Sequence, residues 1–226
     1  MIAPCKEVLA DGVEIWLGDC REVLPLIGRV DAVVTDPPYG ISITKSPRLA
    51  VSRGLTAGGD WDDKPADVSP LISIDVPTII WGGNYFDLPA TRCPLVWDKN
   101  NAGRDFADFE MAWTNLDSVA RRIVFRPMNM DGGKLHPAQK PIEVMRWCIS
   151  QLPEDTDIIL DPYMGSGSTG CAAVDFGRKF IGIEREPKYF DIARRRIDDA
   201  LRQPRINFDP QPQPKQVSMF AEAAAP

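Results

Sequence analysis

The apolar residues of this chain fall into short unbroken runs, separated by stretches of helical periodicity. "VEIWLG" (13–18), "DAVVTD" (31–36), "PTIIWGG" (77–83), "PLVWDK" (94–99), "RRIVFR" (121–126), "DIILD" (157–161) and "KFIGIE" (179–184) read as strands. Most are continuous rather than alternating, as in strands covered on both faces. "PIEVMRWCISQL" sets Ile142, Met145, Ile149 and Leu152 on one helical face, with Pro141 suited to the first turn. "STGCAAVDFG" reads as a helix closed by Gly177, and "PKYFDIARRRIDDALRQ" as a long amphipathic helix opened by proline. Strands alternating with helices predict a mostly parallel α/β sheet with helices on both faces. The pattern predicts one domain over 1–202 and a disordered Pro/Gln/Ala-rich tail over 203–226.

Two segments break the alternation. The first follows "DPPYG" directly and covers about 42–65; it carries Lys45, Arg48 and Arg53 with no acid before Asp60, and includes Trp61. A structureless stretch of that length inside a domain is either functional or disordered. The second runs from Arg121 to Lys134 and is also locally basic, with Arg122 and Arg126.

Composition narrows the class. A 226-residue chain with 44% hydrophobic and 26% charged residues matches a soluble globular protein. No eighteen-residue apolar run predicts a membrane span, and "MIAPCKEVLADG" does not read as a secretory signal. Five cysteines without a CxxC pair point to a reducing cytoplasm, and away from disulfides or a metal site. The net charge of −6 gives no global sign of nucleic acid, so any such reading rests on the two basic segments.

Two motifs carry candidate chemistry. In "VDAVVTDPPYGIS" a buried run stops on Asp36, and Pro37 and Pro38 then stiffen the backbone without offering a ladder donor. The result is a rigid polar hook at a strand end. In "DIILDPYMGSGSTGCAAVDFGRKFIGIE", Gly165, Gly167 and Gly170 satisfy G-x-G-x-x-G, and Glu184 follows about twenty residues on. A helix start with exposed N–H groups suits a negatively charged ligand group, and an acid ending the next strand suits ribose hydroxyls. The glycines alone fit a dinucleotide or S-adenosylmethionine equally. A dehydrogenase of this type usually opens with such a unit, whereas here it comes after two thirds of the sequence.

Taken in order, these segments resemble the S-adenosylmethionine-dependent DNA amino-methyltransferases, β subgroup, in which the catalytic half precedes the cofactor half. "IWLGDC" (15–20), "DPPYG" (36–40), "WGGNYF" (81–86), "FEMAWT" (109–114), "HPAQKP" (136–141), "DPYMGSGSTG" (161–170) and "IGIERE" (181–186) carry the resemblance. It implies a Rossmann-like, seven-stranded sheet with a circularly permuted motif order, a catalytic half over 13–126 and a cofactor half over 136–202. It also implies S-adenosylmethionine against Asp161, Tyr163, Gly165, Ser166 and Gly167, with its ribose on Glu184. Asp19 and Cys20 are implied beside the adenine, and Lys140 beside the methionine carboxylate. An N-cap role for Asp19 is the plain alternative.

The resemblance implies methylation of an exocyclic amine of a flipped base in DNA. Asp36 and the Pro37 carbonyl, braced by Pro38, would accept its two N–H groups, and Tyr39 would offer a π-face. "DPPY" is the form usual for N6-adenine, and the same hook would serve N4-cytosine. An inactive cofactor-binding, DNA-binding protein is a further reading, disfavoured by the intact motifs. Lys45, Arg48, Arg53, Trp61, Arg121, Arg122 and Arg126 are the candidate DNA contacts. His136, the only histidine, reads as structural. Only about ten residues, "PMNMDGGKL", stand where many relatives carry a recognition insert, which predicts a short target or weak sequence preference. A small module that must cover DNA also suits a homodimer.

Overall fold

The computed structural model describes residues 3–42, 61–101, 107–127 and 138–203. Nine strands form one sheet in the order β1-β2-β9-β8-β3-β4-β6-β5-β7. They are β1 (Cys5–Ala10), β2 (Val13–Leu17), β3 (Ala32–Thr35), β4 (Thr78–Trp81), β5 (Leu95–Asp98), β6 (Phe109–Thr114), β7 (Arg121–Val124), β8 (Ile158–Asp161) and β9 (Lys179–Glu184). The helices are α1 (Cys20–Val23), α2 (Ser69–Ile72), α3 (Ile142–Ile149), α4 (Ser168–Asp175) and α5 (Pro187–Arg202).

Seven strands were expected and nine are present among the described residues. The two extra strands share a physical reason: neither is buried on both faces. β1 is an edge strand, half-exposed, joined to β2 by the Asp11–Gly12 turn with Gly12 at φ +71°. β6 begins exposed and becomes buried only over its last three residues. Continuous apolar runs mark doubly covered strands and pass over such edges. β6 pairs antiparallel with both β4 and β5, and β1 antiparallel with β2; the other five pairings are parallel.

Alternation within the strands supplies both covered faces. Ala32, Val34, Ile79, Trp81 and Ile159 pack with α3, α4 and α5 in the main core. Val33, Leu160, Ile181 and Ile183 face the other way, into a second cluster with Val23 of α1, while Ile80 and Trp113 meet Leu71 of α2. Helix α5 buries Tyr189, Phe190, Ala193 and Ile197, a 3–4 spacing on one face, with Pro187 in its first turn. Its Ala193 and Ile197 lie so close to α4 that a Cβ on Gly167 or Gly170 would stand 3.0 Å or 2.5 Å from them. Among the described residues no helix is long and apolar enough to cross a membrane.

This topology decides where the site falls. β2, β9, β8, β3 and β4 run in one direction, and two reversals through β6 return β5 and β7 to it. The carboxyl ends of seven strands therefore share one edge, where ligands of doubly wound sheets bind. β6 runs against them, so its first residues reach that edge as well.

Candidate active site

Asp36 and Asp161 end or follow neighbouring strands, β3 and β8. Thr35 Oγ1 donates to Asp161 Oδ1 at 2.7 Å and ties the two strand ends together. The proline hook and the glycine loop thus stand side by side on one edge.

The hook is pinned at Asp36, Pro38, Tyr39 and Gly40. The Pro38 carbonyl accepts from Ala66 N–H at 3.0 Å, and Gly40 N–H donates to Asp62 Oδ1 at 2.9 Å. Gly40 takes φ +75°, and a Cβ there would lie 2.4 Å from Pro65 N. Residues 61–65, the end of the 42–65 segment, are folded back onto the motif. Trp61 lies half-buried within that return.

Tyr39 is enclosed rather than presented. Its hydroxyl donates to Asp36 Oδ1 at 2.5 Å, its ring stacks on Tyr85 with centroids 4.8 Å apart, and Phe86 meets it edge-on at 6.2 Å. Burial holds the phenol well above its ordinary pKa, so it remains a donor.

The second oxygen of Asp36 accepts from Lys140 Nζ at 2.6 Å. Its ammonium, expected beside the methionine carboxylate, is bonded in the Asp36 corner. Two carboxylates explain it, because Glu110 Oε2 lies 2.9 Å from the same nitrogen. The Lys140 carbonyl is fixed by Ser168 Oγ at 2.8 Å, which sets the lysine between the two motifs. Lys99 Nζ completes the cluster, 2.6 Å from Glu110 Oε1. Burial pushes the Glu110 carboxyl up, but the Lys140 and Lys99 ammoniums outweigh it and hold the group down at about 2. Burial opposes the charge on Lys140, yet Asp36 and Glu110 hold its pKa well above the ordinary value. For Asp36 burial is the largest effect and raises its pKa, with Lys140 pulling against it.

On the other side, Glu184 ends β9. Its Oε2 accepts from Gly165 N–H at 2.9 Å and its Oε1 from Glu186 N–H at 2.8 Å. Gly165 and Gly167 take φ +52° and +81°, which favours glycine at both. Several predicted cofactor residues carry structural bonds. Asp161 accepts from Thr35, from Tyr163 N–H at 3.1 Å and from Thr169 Oγ1 at 2.5 Å, closing the β3, β8 and α4 junction. The Oγ of Ser166 accepts from Arg196 of α5 at 3.0 Å. Asp19 caps α1, accepting from Arg21 N–H at 2.9 Å and from its guanidinium at 2.6 Å. Even so, Asp19 stays beside Glu184, because Gly18 N–H donates to the Glu184 carbonyl at 3.0 Å. The Cys20 and Tyr163 side chains lie close to one another next to it.

The predicted DNA contacts divide. β7 is an edge strand, and exposed Arg126 follows its carboxyl end on the site's edge of the sheet. Arg121 and Arg122 begin that strand, about 13–17 Å from Arg126 at 3.3 Å per residue. Arg122 Nη1 lies 3.4 Å from Asp98. Lys45, Arg48, Arg53 and His136 lie outside the described residues. Sequence reasoning missed Glu110, Lys99 and Tyr85 as site residues. The available signal was an acid opening an apolar strand in "FEMAWT".

Burial pushes Asp161 up to about 6 and Glu184 up to about 7, from ordinary values of 3.8 and 4.5. Acids raised on folding favour the folded state while protonated, so their contribution is full below about pH 4 and is lost as pH rises through 6 to 7. Urea unfolding between pH 5 and pH 7.5 is expected to show this slope, and Glu184→Gln to flatten it.

The comparisons agree with this geometry. Residues 75–195, just over half of the chain, match the family model described as DNA methylase. The chain belongs to this DNA methylase family. A 74-residue stretch is 40% identical to the type II methyltransferase M.HinfI of Haemophilus influenzae, covering 33% of this chain and 21% of that protein. A 63-residue stretch is 46% identical to the type II methyltransferase M2.LlaDCHI of Lactococcus lactis subsp. cremoris, covering 28% and 23%. The matched stretches therefore span about a fifth of those relatives' length. The crystal structure of an M1.HpyAVI–SAM complex aligns with a TM-score of 0.54 at 26% identity, over 81% of this chain and 98% of that one. The cytosine-N4-specific PvuII DNA methyltransferase aligns at 0.51 and 16% identity, over 83% and 90%, a likeness of fold alone. The chain thus has the expected Rossmann-like methyltransferase architecture.

Proposed function

We propose that this chain transfers a methyl group from S-adenosylmethionine to the N6 amino group of adenine in DNA. The observation that carries the reading is the junction of the two motifs: the Asp36 hook and the Gly165–Glu184 corner end neighbouring parallel strands and are bonded through Thr35 and Asp161.

The donor set fits S-adenosylmethionine. Glu184 accepts from the backbone N–H groups of Gly165 and Glu186, with Arg185 N–H also close, and the four lone-pair sites of a carboxylate leave room for a ribose hydroxyl. The Gly165 N–H, a donor that a pyrophosphate would use at this turn, is given to Glu184 instead. The small size of Gly167 and Gly170 is needed against α5. The Gly165 contact favours S-adenosylmethionine over a dinucleotide, while the glycine packing is common to both. Glu184 would hold the ribose, with Asp19, Cys20 and Tyr163 beside it and the turn at Gly165 to Gly167 lining the rest.

S-adenosylmethionine supplies an electrophilic methyl: its C–S bonding pair stays with sulfur, a C–N bond forms from the amine lone pair, and one N–H proton is released. The exocyclic amine of a base is a poor nucleophile because that pair is delocalised into the ring. Asp36 and the Pro37 carbonyl would each accept one N–H and favour a pyramidal nitrogen, an electrostatic and positional contribution. The hook can do this because Pro38, Gly40 and Tyr39 are all fixed from behind. A buried Asp36 with a raised pKa is also a suitable first acceptor for the released proton. Since the amine is out of reach inside a duplex, the base is flipped into the edge between β3 and β4. Arg126 stands at the same edge as a phosphate contact.

Unmodified plasmid DNA incubated with methyl-labelled S-adenosylmethionine, then digested to nucleosides, tests the reading. Label is expected in N6-methyldeoxyadenosine. Label in N4-methyldeoxycytidine would move the target to cytosine with the same hook, and unlabelled DNA would reject the activity.

A further inference from the structure

Both oxygens of Asp36 are engaged, although the proposed chemistry needs one of them for an amine. Tyr39 holds Oδ1 at 2.5 Å and the Lys140 ammonium holds Oδ2 at 2.6 Å. Lys140 also donates to the Tyr39 hydroxyl at 3.0 Å, and its nitrogen lies over the Tyr39 and Trp81 rings at 5.4 Å and 5.3 Å. A cation on this carboxylate opposes the reaction, because positive charge develops on the nitrogen that Asp36 must hold.

A second acceptor stands ready. Glu110 Oε2 is shielded from solvent and has no hydrogen-bond partner, although the Lys140 nitrogen lies only 2.9 Å away. The lysine's hydrogen bonds are directed to Asp36 and Tyr39. Glu110 itself is fixed by Lys99 at 2.6 Å, and the Lys140 backbone by Ser168, so only the end of the lysine has to turn. A buried acceptor held only by a poorly aligned ion pair is stabilised when a well-aligned hydrogen bond turns onto it.

We propose that Lys140 latches Asp36 in the free protein and passes its hydrogen bond to Glu110 when the amine of the target base takes Asp36 Oδ2. Glu110 is then a positioning residue for base entry. The latch rests on the reading of Asp36 as amine acceptor. It adds that a lysine closes the site before the base enters, and that an acid on the reversed strand β6 releases it.

The test uses labelled S-adenosylmethionine and unmodified plasmid DNA with the wild type, Glu110→Gln and the double variant Lys140→Met/Glu110→Gln. Calorimetry with S-adenosylmethionine is run on all three. Loss of the charged acceptor is expected to lower kcat of Glu110→Gln roughly ten- to hundredfold, with the DNA KM little changed because base entry follows DNA binding. The double variant removes one acid and one base together, so the buried charge balance is kept, and it is expected to regain most of that loss. S-adenosylmethionine affinity is expected to hold throughout. Wild-type kcat in Glu110→Gln, or a double variant as slow as or slower than the single, overturns the latch while leaving the activity reading intact. Weakened S-adenosylmethionine binding confined to the Lys140 variant also overturns it, by assigning the lysine to the cofactor. If Glu110→Gln alone does not fold, the charge-balanced double variant decides: active supports the latch, inactive contradicts it. A wild type that transfers no methyl overturns both.

Discussion

Asp36→Ala is expected to lower methyl transfer to DNA by about 10²–10³-fold, the usual cost of removing one preorganised electrostatic contact. S-adenosylmethionine affinity is expected to stay near the wild-type value, because the Glu184 corner does not use Asp36. The fold should survive as well, since Lys140 keeps Glu110 as a counter-ion 2.9 Å away. Turnover with labelled S-adenosylmethionine, set beside a calorimetric affinity, separates the two effects. A variant that binds cofactor normally and transfers at the wild-type rate would remove Asp36 from the chemistry.

Gly82→Ala is expected to cost both stability and turnover. Gly82 follows β4 at φ +73°, and a Cβ there would lie 2.1 Å from the Tyr39 ring. Its N–H donates to the Met111 carbonyl at 2.8 Å, and its carbonyl accepts from Tyr85 N–H at 2.8 Å. The residue therefore cannot move without carrying Tyr85, the stacking partner of Tyr39. A left-handed backbone costs a non-glycine residue about 1–2 kcal/mol, and overpacking typically adds about 1–3 kcal/mol. At roughly 2–4 °C per kcal/mol for a domain of this size, Tm should fall by about 5–15 °C. Tyr39 would be pushed off Asp36, so kcat should fall while S-adenosylmethionine still binds. Gly28→Ala is the matched control: nothing lies within 4 Å of its added Cβ, and the change should stay within about 0.5 kcal/mol. Thermal unfolding and turnover of both variants check the contrast.

The central strands were legible because burial on both faces leaves one sequence pattern, an unbroken apolar run ending in a polar residue. Asp36, Asp161 and Glu184 stood out for the same reason, as acids at the ends of β3, β8 and β9. What each acid touches was not legible. Asp161 is bonded to Thr35 of another strand and Thr169 of another helix, and Asp19 to its own cap, so neither bond set could be told from a ligand contact by local pattern. Glu110 was missed as a site residue because its position depends on strand direction. An acid at the start of a strand reaches the carboxyl edge of this sheet only if that strand runs backwards. What holds the Lys140 ammonium was not legible either, since the two carboxylates beside it lie 104 and 30 positions away in sequence. The glycines show the converse. Gly165 and Gly167 were read as room for a ligand; Gly167 also makes room for α5.

The most direct measurement is a crystal structure of the chain with a methyl-lacking S-adenosylmethionine analogue and a duplex carrying its target. The account predicts an everted adenine whose amino nitrogen lies within hydrogen-bond distance of Asp36 and in line with the donor position, about 3–3.5 Å from where the methyl would sit. An analogue bound away from Glu184, or a base that never meets Asp36 across the β3–β8 junction, would contradict it.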